Sequence, residues 1–217
     1  MGLILMVGLG CKAKEEGTVT EVDPIPQPEM VVDDQLLSKA YFASGCFWCV
    51  EAVYESVSGV LSAVNGYAGG TKEDATYEKV SSGMTNHAET VEVLYDPRVI
   101  SYETLLKVFF GSHDPTTLNR QGPDSGPQYR SAIFYKNETE KLAAEKFIQE
   151  MYTSGDFKKG SITTEVVPLK AFYVAEDYHQ DYEKLNPNQP YIRGVSVPRL
   201  KAFMKQYPEL LKGAENH

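Results

Sequence analysis

Three cysteines, Cys11, Cys46 and Cys49, are all the thiols this chain has, and none follows Cys49. A disulfide framework therefore cannot staple the fold, and stability has to come from a buried apolar core. With 217 residues, 42% of them hydrophobic, the chain is long enough for one well-buried domain and too short for two comfortable ones. The only local pair is Cys46-x-x-Cys49, a spacing used by redox sites and by half of many zinc sites. A four-thiolate zinc site needs a second such pair, which the sequence lacks. Net charge is −9, which argues against nucleic-acid binding through neutralised phosphates.

Met1 to Cys11 reads MGLILMVGLGC. The apolar run is too short to span a bilayer as a helix. It resembles the hydrophobic part of a secretory signal, with Gly10-Cys11 where a bacterial lipoprotein signal would be cut. Against this, no Lys or Arg precedes the run, and Gly8 stands where a larger residue is usual. The alternative is a frayed cytoplasmic N-terminus. We expect an extracytoplasmic lipoprotein lipidated at Cys11 and tethered to a membrane. Lys12 to Gln35, rich in charge and proline, would be a disordered linker. The expected division is a signal-like segment and linker over 1–37 and a catalytic domain over 38–217, folded from Ser38 to about Tyr207.

Tyr41 to Ser44 reads as a short buried strand ending at Gly45. A helix follows from about Cys46, with Cys46, Val50, Val53 and Val57 on one face and Gly59 as its stop. Val60 to Tyr67 predicts a strand running into Gly69-Gly70, and the alternation at Val91, Val93 and Tyr95 predicts another, closed by Asp96-Pro97. Ser101 is a candidate N-cap for a helix carrying Leu105, Leu106, Val108 and Phe109. His113 to Gln128 shows no periodicity, and a long irregular segment inside a domain is usually functional or disordered. Ser131 to Lys136 reads as a strand. Asn137 with Glu140 suggests a capping box for a helix burying Ala144, Phe147, Ile148 and Met151. Ile162 to Pro168 reads as a strand, and the last helix has Ser196 as cap and Leu200, Phe203, Met204 and Tyr207 as its stripe. The expected fold is α+β: a two-layer sandwich, a mixed sheet flanked by helices, with a ferredoxin-like core and long irregular segments.

A cysteine in the first turn of a helix faces unpaired N–H groups and the positive end of the macrodipole. Both favour the thiolate, so the Cys46 pKa is expected to fall. Cys49, three residues on, shares the helical face, so the sulfurs can meet as a disulfide. An activated nucleophile then sits beside a thiol able to trap it; the alternative is an inert buried pair. Phe47 and Trp48, the latter the only tryptophan, could wall an apolar pocket for a methyl or thioether group, or simply pack in the core.

Gly45-Cys46-Phe47-Trp48-Cys49 after a strand resembles the active-site signature of A-type methionine sulfoxide reductases. Further segments match that family in order: Val64 to Gly70, Tyr77 with Val80, His87-Ala88-Glu89, His113 to Thr116, Gln121 to Asp124 running into Gln128 to Ser131, and Phe172-Tyr173 with Ala175 to Gln180. The resemblance implies reduction of the S epimer of methionine sulfoxide, free or protein-bound, with repair of oxidised proteins as the outcome. Cys46 would attack the sulfoxide sulfur and become a sulfenic acid. Glu89 stands at the family's proton donor, Tyr77 and Tyr129 would hydrogen-bond the oxygen with Asp124 beside them, and Phe47 and Trp48 would hold the methyl. Without the resemblance, Glu89 reads as a solvated strand-end acid and each tyrosine as a half-buried packing residue. Many relatives carry recycling cysteines near the C-terminus. This chain has none, so the resemblance implies a Cys46–Cys49 disulfide reduced by thioredoxin or a thioredoxin-like protein. No cofactor and no metal are implied, and a monomer is expected. Asn86 replaces the family's usual Gly, which matters little even if a left-handed turn is needed there.

The competing readings are a thioredoxin-like disulfide oxidoreductase and a non-enzymatic metal or redox sensor. The first fits Cys-x-x-Cys at a helix start but not the aromatic filling or His-Ala-Glu. The second would use Cys46, Cys49 and some of His87, His113 and His179, which lack ligand-pair spacing. His113 and His179 are better read as residues that brace loops.

Overall fold

The computed structural model describes Gly2 and residues 36–213. Cys11, the leader-like run and the proline-rich linker lie outside the described residues.

Strand β1 (Ser38–Ser44) leads into helix α1 (Phe47–Glu55), then β2 (Val60–Ala68), the short α2 (Tyr77–Ser81), β3 (Ala88–Tyr95) and α3 (Tyr102–Gly111). A two-residue hairpin, β4 (Arg120–Gln121) and β5 (Asp124–Ser125), sits inside the expected irregular stretch. There follow β6 (Ser131–Tyr135), α4 (Glu138–Ser154), β7 (Glu165–Pro168), β8 (Phe172–Val174), α5 (Tyr182–Leu185) and α6 (Val197–Gln206). The main sheet runs β7-β6-β1-β3-β2-β8. Its centre, β6-β1-β3-β2, is antiparallel throughout. With α1 joining β1 to β2 and α3 lying between β3 and β6, this is the expected ferredoxin-like core. Strand β8 adds antiparallel to β2, and β7 adds parallel to β6, which the long return through α4 permits. The sheet is therefore mixed.

The register sorts side chains onto two faces. Phe42 lies opposite both Val91 and Ile133, and all three join the core shared with α1 and α3. Its ring stacks on Tyr54 of α1 at 5.2 Å and tilts against Phe109 of α3 at 5.4 Å. Truncating a side chain buried this way costs about 3–5 kcal/mol. Tyr41, Ala43, Ala68, Ala88, Ala132 and Phe134 form a separate cluster, joined by Phe172 and Leu169.

The caps at Ser101 and Asn137 form as expected, accepting from Thr104 N at 3.1 Å and Glu140 N at 3.0 Å. Five local expectations are corrected. Helix α1 ends at Glu55 with Ser56 as cap. Gly59, at φ +83°, instead makes the turn into β2, where a Cβ would come within 2.6 Å of Ile100. The Glu140 carboxylate takes the N–H of Lys136 at 2.8 Å, one residue before the cap. Ser196 caps nothing: its backbone is helical and a π-turn, Ile192–Ser196, runs straight into α6. Tyr207 lies past the end of α6 and Met204 is exposed, so Leu200 and Phe203 carry the inward face. Ordered chain extends beyond Tyr207 to a bridge between Leu211 and Val57.

Candidate active site

The polypeptide leaves β1 at Ser44 and must enter α1 at once. Gly45 makes this possible with φ +93°; a Cβ there would meet Gln121 at 2.6 Å. Cys46 is the N-cap residue, its carbonyl accepting from Cys49 N at 3.1 Å and Val50 N at 3.4 Å. The first helical N–H, that of Phe47, points to a carboxylate: it donates to Glu89 Oε2 at 3.0 Å. Glu89 sits on β3 directly across from Tyr67 of β2 and is 2% exposed.

A cavity of about 210 Å³ opens in front of these groups. Cys46, Phe47, Trp48, Tyr77, Glu89, Asp124 and Tyr129 all line it, although they come from α1, α2, β3, β5 and the turn before β6. Cys49 lies behind Cys46, its sulfur 3.8 Å from the Tyr191 hydroxyl. Phe47 is buried and Trp48 half-buried, so one ring is mostly core and the other mostly wall.

Burial governs the electrostatics. It pushes Glu89 up to about 8, against the opposing pull of the Phe47 N–H. At neutral pH the carboxyl therefore keeps its proton, which corrects the solvated-acid reading. Burial also raises Tyr77 and Tyr129, leaving both phenols as donors. Asp124 is raised by burial and pulled back by the Tyr191 hydroxyl, which donates to its Oδ2 at 2.6 Å. Cys46 departs from expectation. Burial, then the hydrogen bond with Cys49 and the nearby Glu89 charge, push its thiol up rather than down. The helix terminus does not prevail because its leading N–H is spent on Glu89. Cys49 moves down, to about 6, through its hydrogen bond with Cys46 and then the Arg199 charge, against its own burial.

The histidines are engaged by the protein. His113 contacts Phe109 O at 2.7 Å and Ser131 Oγ at 2.8 Å, joining α3 to β6. His87 accepts from Gly70 N and meets Thr71 O. His179 accepts from the Trp48 indole. Bracing was the expected role for His113 and His179. Asn86 is not left-handed, so the missing glycine has no conformational cost.

The arrangement places an acid that holds its proton at neutral pH, phenolic donors and an aromatic wall around one sulfur. A family model for peptide methionine sulfoxide reductase matches residues 38–210. The chain belongs to the peptide methionine sulfoxide reductase family. A relative named peptide methionine sulfoxide reductase MsrA 2, from Synechocystis, is 47% identical over 193 residues, covering 85% of this chain and 90% of its own. One named MsrA from Sulfolobus acidocaldarius is 49% identical over 170 residues, covering 78% and 95%. The solved structure of methionine sulfoxide reductase A of Corynebacterium diphtheriae is 34% identical with TM-score 0.64, covering 76% of this chain and 84% of that one.

In this member of the peptide methionine sulfoxide reductase family, Gln189 and Tyr191 complete the cavity, and Arg199 and Ser196 stand beside Cys49. Sequence reasoning missed all four. Gln189 and Tyr191 lie in an aperiodic Pro-Asn-Gln-Pro-Tyr run whose one signal is a tyrosine between prolines and a helix. Glu176 was also missed as an anchor: it accepts from Tyr77 N at 2.9 Å and from the Tyr67 hydroxyl at 2.8 Å.

Proposed function

We propose that the chain reduces the S epimer of methionine sulfoxide, free or within proteins, to methionine, and so repairs oxidised proteins. The observation that carries this reading is Glu89: a buried carboxyl raised to about 8, in the same cavity wall as Cys46. A sulfoxide oxygen leaves only if protonated, and this acid holds the proton at neutral pH. Trp48 and Phe47 would receive the substrate methyl, and the Tyr77 and Tyr129 hydroxyls would donate to the oxygen, with Asp124 holding Tyr191 behind them.

Cys46 sulfur attacks the sulfoxide sulfur and the oxygen takes the Glu89 proton. Transfer of that oxygen to Cys46, with the transient sulfur–sulfur bond and the substrate's S–O bond breaking, gives methionine and a sulfenic acid, the Cys46 proton returning to Glu89. Because burial disfavours the free Cys46 thiolate, its proton is best lost during the attack itself, when Glu89 has passed its own proton to the oxygen and can accept it, so attack is gated by occupancy. Cys49 then attacks the sulfenic acid sulfur, forming the Cys46–Cys49 disulfide and releasing water. Thioredoxin or a protein like it supplies two electrons to restore both thiols.

The test is turnover of resolved S and R sulfoxide epimers by wild type and Cys46→Ser. Reduction of the S epimer alone, abolished in Cys46→Ser, is expected; reduction of the R epimer or survival of activity would overturn the reading. We further read residues 38–217 as a monomeric catalytic unit tethered through a lipid on Cys11. The intact mass of the mature N-terminus checks the tether, and sedimentation of the purified chain checks the monomer.

A further inference from the structure

The two cysteines present different faces to the molecule. Cys46, buried at 7% exposed, is part of the cavity wall and Cys49 is not, so a thiol arriving through the cavity reaches Cys46 first. Cys49 is 2% exposed and turned toward Tyr191 and the segment leading into α6. Access alone therefore separates them.

Their electrostatic settings differ too. Arg199 of α6 reaches beneath the β1–α1 turn. Its Nε donates to Ser112 O at 2.7 Å, Nη1 to Ser44 O at 2.9 Å and Nη2 to Ser44 Oγ at 3.0 Å. Every one of these acceptors is neutral, so the bonds fix the guanidinium without cancelling its charge. That charge is felt at Cys49, whose pKa is lowered first by its hydrogen bond with Cys46 and then by Arg199. Cys46 is instead held as the neutral thiol, above all by its burial.

We propose that the external dithiol attacks Cys46 of the Cys46–Cys49 disulfide, and that Arg199 is a positioning residue holding Cys49 as the departing thiolate. This rests on the reading of Cys49 as the resolving thiol. The reductant's thiolate bonds to Cys46 sulfur, the Cys46–Cys49 bond breaks, and its electron pair leaves on Cys49. The reductant's second thiol, having lost its proton to solvent, attacks the reductant's own sulfur in the mixed disulfide. That closes the reductant's disulfide and expels Cys46, which takes up a proton. A sulfur whose thiolate is stabilised is the better leaving group, so both access and charge select this polarity.

The experiment oxidises the wild-type protein with one equivalent of free methionine S-sulfoxide and counts the thiols of Cys46 and Cys49. Thioredoxin with its second active-site cysteine replaced by serine is then added, free thiols are alkylated, and the adduct is mapped by fragment masses. Thioredoxin on Cys46 with alkylated Cys49 is expected. Thioredoxin on Cys49 overturns the proposal while leaving sulfoxide reduction untouched. If oxidation does not consume both thiols, the resolving role itself fails and the proposal with it. Arg199→Met should slow adduct formation about tenfold, and Arg199→Lys should restore most of it, because Lys keeps the charge but not the fork of hydrogen bonds. An unchanged rate in Arg199→Met, or no rescue by Lys, removes Arg199 from the step.

Discussion

The Trp48 indole donates its Nε1–H to Nδ1 of His179 at 3.2 Å. Because Nδ1 accepts, the proton of the neutral ring sits on Nε2. That atom is buried, 3.9 Å from Glu176 Oε2, with no hydrogen-bond partner among the described residues. Tyr182 stacks on the indole at 3.8 Å, nearly parallel at 9°. The apolar wall of the cavity is thus held by edge and by face.

His179→Phe keeps a ring among Phe47, Tyr77 and Tyr178 but removes the acceptor. We expect KM for a methyl sulfoxide to rise about 5–10-fold, the worth of one buried hydrogen bond, with a smaller effect on kcat. Trp48 is the only tryptophan, so acrylamide quenching of intrinsic fluorescence reads this wall alone and should increase. Unchanged quenching and KM would show that His179 does not hold the indole.

Glu89→Gln keeps an oxygen for the Phe47 N–H but has no proton to give. Its rate of methionine formation in a single turnover should fall about 10²–10⁴-fold. In the wild type the acid form exists below a pKa of about 8 and is lost as pH rises through it. The wild-type rate should therefore decline on the alkaline side, and that limb should be missing from the residual activity of Glu89→Gln.

Cys49→Ser should form one equivalent of methionine per protein and then stop, however much thioredoxin is present. A rapid-quench burst followed by steady-state assay measures both phases. Undiminished steady-state turnover would mean that the reductant attacks the Cys46 sulfenic acid directly.

Glu51, 2% exposed on α1, accepts from Asp181 N at 2.9 Å. Burial raises it from 4.5 to about 7. Its folded pKa lies above the unfolded one, so its contribution is fully present below about pH 4.5 and is lost as pH rises through 7. Glu89 acts with the same sign. Glu51→Gln retains an acceptor and should lose less stability between pH 5 and 8, by about 1–3 kcal/mol. Urea unfolding of both proteins at the two pH values tests it; parallel losses would exclude Glu51 as a source.

Much of the fold was legible because local physics wrote it locally. The alternation at Val91, Val93 and Tyr95 placed β3, and the oxygens of Ser101 and Asn137 marked helix starts that form as read. Strand β8 escaped because Phe172–Val174 is too short to show a period. Ser196 misled because a capping residue type says nothing about whether the preceding backbone is already helical.

Gly45 to Cys49, by order and spacing alone, determined a thiol pair at a helix start, and the ordered motifs around it marked the residues that line one cavity. Which sulfur carries charge was decided only in three dimensions. The helix terminus that was to activate Cys46 gives its first N–H to Glu89, 42 residues away in sequence, while Cys49 gains the hydrogen bond of Cys46 and, after it, the charge of Arg199. Ionisation depends on burial and on distances to groups remote in the chain, and no local pattern encodes either.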